Sequence, residues 1–110
     1  MLHADKDLAE AVALIGRPHH EQDWGQLYKV LEIIEGAGVI HDVLRAAGVS
    51  KPKLKLFTRT ANHQAASGRA ARHARLREQP PKNPMPIQEA RSMIRQLLVA
   101  WVHLVKTSAP

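Results

Sequence analysis

"PMPIQEARSMIRQLLVAWVHLVK" (Pro84–Lys106) decides the fold. Ile87, Ala90, Ile94, Leu97, Leu98, Trp101, Leu104 and Val105 recur at intervals of three and four, so they line one side of a helix of about five turns. Glu89 stands early and Lys106 late, where each suits the partial charge of its helix end. Such a long apolar stripe has to be covered by other elements. No stretch of the chain alternates apolar and polar residues over a useful length, and no internal repeat is present. The cover must therefore be helical, and the chain is predicted to be an all-α bundle of four or five helices in a single domain over 1–110.

The other helices follow from the same periodicity. Leu8, Val12 and Ile15 predict a first helix over about Asp5–Ile15, with Asp5 as its cap and Gly16 and Pro18 ending it. Trp24, Leu27, Tyr28, Leu31 and Ile34 predict a second over about Glu21–Glu35, with Glu32 and Glu35 off the stripe and Gly36 and Gly38 as the stop. Ile40, Val43, Leu44 and Ala47 predict a short third helix ending at Gly48. Ser50 can cap a fourth over about Lys51–Ala66, with Pro52 in its first turn and Leu54, Phe57, Ala61 and Gln64 inward. Ser67 and Gly68 then read as a breaker that opens a basic, Pro-rich connector at about 67–86.

Composition narrows the chemistry. A chain of 110 residues is expected to bury about 60–70% of its unfolded surface, enough for one core. Aromatics make up only 4%, so that core is built from Leu, Ile, Val and Ala. No cysteine is present, which excludes disulfides and thiolate metal sites. Acidic residues interrupt the N-terminal stretch where a signal peptide would be apolar, and no apolar run reaches the length of a membrane span, so a soluble cytoplasmic protein is expected. Charge is divided unevenly. Up to Val49 there are eight acidic and four Lys/Arg residues; from Ser50 onward there are two and twelve. That asymmetry suits either a basic face for a polyanion or a basic half that docks on an acidic one.

Within the basic half, Arg59, Asn62 and His63 share one side of the fourth helix. A guanidinium can hold a phosphate through two hydrogen bonds while an imidazole takes the proton from an RNA 2′-hydroxyl, and neither step needs a metal or another cofactor. The competing reading is a polar helix face with a histidine near the negative end of the helix dipole. Arg69, Arg72, His73, Arg75 and Arg77 form a dense basic run that could bind nucleic-acid phosphates, or be a solvated linker. The run has no aromatic residue for base stacking. His19 and His20 are adjacent and cannot easily face one ion from a helix, so no metal site is expected. His41 and His103 read as structural, and Trp24, Tyr28 and Trp101 as core or interface anchors.

"LYKVLEII" (Leu27–Ile34), "FTRTANHQAASGRAARH" (Phe57–His73) and "PPKNPMPIQEARSMIRQLLVAWV" (Pro80–Val102), in that order, resemble the bacterial HEPN-like helical domains (higher eukaryotes and prokaryotes nucleotide-binding). The resemblance covers roughly Trp24–Val105. It implies a four- or five-helix bundle that dimerises and a metal-independent endoribonuclease activity, with Arg and His from both subunits meeting in the dimer cleft. It also implies a toxin–antitoxin or phage-defence setting, with RNA and a protein partner such as an antitoxin. The family motif separates its Arg and His by four to six residues; Arg59 and His63 are separated by three, as are Arg69 and His73. A non-enzymatic interaction module, or a domain that binds nucleic acid without cleaving it, answers to the same composition. DNA reading by a helix-turn-helix is ranked lower, because no such spacing precedes a basic helix.

Overall fold

The computed structural model describes the backbone of residues 2–16, 23–69 and 82–108, and the side chains of 6–16, 23–63 and 82–107. Five helices follow one another: α1 Leu2–Ile15, α2 Trp24–Gly36, α3 Ile40–Ala47, α4 Lys51–Arg69 and α5 Ile87–Ser108. No strand occurs among the described residues. The chain is an all-α helical bundle, as its periodicity predicts.

α5 is the helix that α1, α2 and α3 cover. Ala90, Met93, Ile94, Leu97, Leu98 and Trp101 are all buried along it, and α1, α2 and α3 each pack against it. α3 meets it through Val43 and Leu44. α2 buries Leu27, Val30, Leu31 and Ile34, and also packs on α1 and α4. α4 lies against α2, with Phe57 and Ala61 buried and Leu54 half-buried. The Phe57 and Trp24 rings sit 6.0 Å apart, tilted by 40°, an arrangement aromatic pairs favour.

The helix ends have local causes. The Asp23 carboxylate accepts the Gln26 amide at 2.9 Å, which fixes the start of α2 three residues later than the predicted Glu21. Ser50 Oγ accepts the Lys53 amide at 3.2 Å and caps α4, as expected. α3 ends in a Schellman turn, with the Val49 amide on the Leu44 carbonyl and the Gly48 amide on that of Arg45. Gly48 there takes φ +70°, a left-handed conformation that suits glycine, and the buried Val49 closes the turn.

Three expectations need correction. α1 begins at Leu2, so Asp5 lies inside the helix and does not cap it. Among its described side chains Ala11 and Leu14 are buried, while Val12 is 44% exposed; the inward arc falls one residue away from the larger side chain. α4 runs through Ser67 and Gly68 to Arg69, so the connector starts later than 67. One glycine costs a helix only about 1 kcal/mol relative to alanine, too little to end one that four turns already support.

One buried polar contact ties α4 to the start of α5. Thr60 is 1% exposed, and its Oγ1 accepts the amide of the buried Met85 at 3.1 Å. A valine at position 60 keeps the shape and leaves the Met85 N–H without an acceptor. Thr60→Val is therefore expected to destabilise the fold by about 1–3 kcal/mol, with Thr60→Ser much closer to wild type, in urea unfolding. In the same assay Gly48→Ala is expected to cost about 1–2 kcal/mol, because Ala pays for a left-handed backbone.

Candidate nucleic-acid interface

The inward arc of α4 fixes what its outer side presents. Phe57, Thr60 and Ala61 are buried, so with about 100° between successive residues Arg59 is turned to the opposite side, where it is exposed. His63 stands one turn further on, about 6 Å along the axis, and is half-buried. Asn62, also half-buried, flanks Arg59 on the other side of that turn. The three candidate residues are thus brought together on one helix and on one accessible side of it. His63 lies six residues before the end of α4 at Arg69, so the alternative of a histidine capping the negative helix end does not apply.

The basic run divides differently. Arg69 is the last residue of α4, about 15 Å along the axis from Arg59. Arg72, His73, Arg75 and Arg77 lie outside the described residues, as do His19, His20 and Glu21. Among the described residues no group of three His, Cys, Asp or Glu side chains could hold a metal ion, and no helix is long and apolar enough to cross a membrane. His41 and His103 are exposed, so neither is a core histidine.

Two features of this surface escape a search for catalytic motifs. One is Thr60, whose hydroxyl and buried neighbours set the rotation of α4 about its own axis and hence where Arg59 points. The other is the set of lysines that precede Arg59. Lys51 and Lys55 are exposed and stand eight and four residues before it. Nothing acidic occurs anywhere in α4. Like charges at i,i+4 oppose a helix by about 0.2–0.5 kcal/mol per pair, and Lys51–Lys55 and Lys55–Arg59 are two such pairs. The signal for this pattern was in the sequence as a four-residue spacing of cations without an intervening acid.

No family model, curated protein or solved structure matches this chain.

Because Arg59 is exposed, the outer side of α4 can be altered without disturbing the core. Arg59→Ala is expected to shift stability by less than about 1 kcal/mol in thermal or urea unfolding, against about 3–5 kcal/mol for Phe57→Ala one half-turn away on the buried side.

Proposed function

We propose that this chain is an RNA-binding helical domain of HEPN-like character, with the outer side of α4 as its RNA surface. The observation that carries the reading is the clustering of Arg59, Asn62 and His63 on one accessible side of a helix that has cations and no acids. Backbone phosphates are the ligand such a surface suits: lysine and arginine replace the counterions of a nucleic acid, and arginine adds bidentate geometry.

The same three residues support cleavage. His63 would take the proton from a 2′-hydroxyl as that oxygen attacks the adjacent phosphorus. Arg59 would hold the non-bridging oxygens as charge builds on them, and Asn62 would orient the strand by hydrogen bonding. The departing 5′ oxygen needs a proton in return, which His63 of a second copy in a homodimer would supply. The shorter Arg-to-His interval puts binding ahead of cleavage in this reading. A toxin–antitoxin or phage-defence role, with an antitoxin-like protein partner, comes with the family resemblance.

A second reading has an observation of its own. Glu10, Glu32 and Glu35 are exposed on α1 and α2, while the exposed side of α4 is cationic. A non-enzymatic module that docks acidic to basic faces fits this division and predicts self-association that weakens with salt, measurable by sedimentation.

The deciding experiment is RNA cleavage by the purified protein in EDTA, wild type beside His63→Ala. Cleavage by wild type that falls by at least about 100-fold in the variant is expected if His63 is the acid–base group. Equal cleavage by both, or none by either, eliminates the catalytic version and leaves binding to be judged by anisotropy with labelled RNA.

A further inference from the structure

We infer that Lys51, Lys55 and Arg59 form a continuous phosphate rail on α4, which holds the backbone of a single-stranded RNA along the helix axis and leads it to His63. The inference rests on the RNA-binding reading above and extends it to two lysines at the opposite end of the helix from the basic run.

The geometry comes from the helix itself. Residues four apart advance about 6 Å along the axis and drift by about 40° around it, so Lys51, Lys55 and Arg59 form a gently winding line about 12 Å long. All three are exposed. The line cannot turn inward, because Phe57, Thr60 and Ala61 pin the other side of the helix in the core. Ser50 fixes its start by capping α4 through the Lys53 amide at 3.2 Å, and His63 continues it one turn beyond Arg59.

Charge argues that the rail faces a polyanion rather than water alone. Lys51 and Lys55 are i,i+4 neighbours of like charge, and α4 itself contains no carboxylate. Lys51, in the first turn, also faces the partial positive charge of the helix start, where acids would normally be favoured. The helix thus holds these two exposed lysines against mutual repulsion, and a strand of phosphates laid along them removes that repulsion. A strand is favoured over a duplex because the rail is a single line of cations along one helix, whereas double-stranded RNA is read across successive grooves. Phosphates contacted this way lie on one flank of the position occupied by Arg59 and His63.

The test measures the salt dependence of binding. A labelled single-stranded RNA with 2′-O-methyl sugars, which cannot be cleaved, is titrated with the protein by fluorescence anisotropy across a range of salt. Wild type is compared with Lys51→Ala/Lys55→Ala and with the control pair Lys29→Ala/Lys106→Ala, whose lysines are exposed on α2 and α5. Each phosphate neutralised contributes about 0.7 to the slope of log K against log salt for a single strand, so the rail variant is expected to be shallower by about 1.4 and the control unchanged. Circular dichroism of the rail variant should show undiminished helix, since alanine is the better helix former and two repulsions are removed. An unchanged slope in the rail variant overturns the rail while leaving RNA binding intact, and so does an equal loss in the control pair. Displacement of the RNA by polyglutamate as readily as by unlabelled RNA also overturns it, in favour of an acidic protein partner. Failure of wild type to bind the RNA overturns the rail together with the reading on which it rests.

Discussion

The burial of one long helix governs this molecule. α5 is 22 residues long and apolar over much of its circumference, in a chain with only 4% aromatic residues to cover it. Leu, Ile, Val and Ala bring less area per residue than Phe or Trp, so several helices are needed to remove α5 from water. α1, α2 and α3 are all committed to that task. α4 packs on α2 instead, and among its described side chains Phe57, Thr60 and Ala61 are buried while Lys51, Lys55 and Arg59 are exposed. The placement of the candidate site is thus a by-product of how the core is covered.

Two kinds of contact hold α4 in that place. Phe57 and Ala61 provide non-directional burial, with Phe57 reaching the Trp24 ring at the start of α2. Thr60 provides a directional contact, a hydroxyl that must meet the Met85 amide inside the core. Packing alone tolerates small rotations of a helix; a buried hydrogen bond does not, because an amide left without an acceptor away from water is costly. The segment leading into α5 is positioned by the same bond, so the helix that carries Arg59 and the helix that carries the core share one fixed point.

Much of this was legible in the sequence, and what was not has physical reasons. The stripe of Ile94, Leu97, Leu98 and Trp101 gave α5 directly, since a long amphipathic pattern averages out local exceptions. Gly38 and Gly48 marked helix ends because each takes a left-handed backbone, φ +76° and +70°, that few other residues adopt. α1 was harder: Ala11 and Val12 differ little in periodicity, and tertiary packing turned the smaller one inward. Gly68 misled because one glycine weakens a helix without ending it. In the site, the grouping of Arg59, Asn62 and His63 followed from spacing alone. Thr60 was invisible because its value depends on Met85, 25 residues away, and no local pattern announces such a pair.

Thr60 also acts as an angular index for the exposed chemistry next to it. Each residue added to a helix rotates everything beyond it by about 100° relative to what came before. With Thr60 keyed to Met85, a single insertion between Lys55 and Thr60 would swing the two lysines around the helix while Asn62 and His63 stayed where they are. Point substitutions on the outer side can therefore vary one at a time, but the length of α4 ahead of Thr60 cannot change without taking the basic line apart. The spacing ahead of Thr60, as much as any one outer side chain, holds the basic line together.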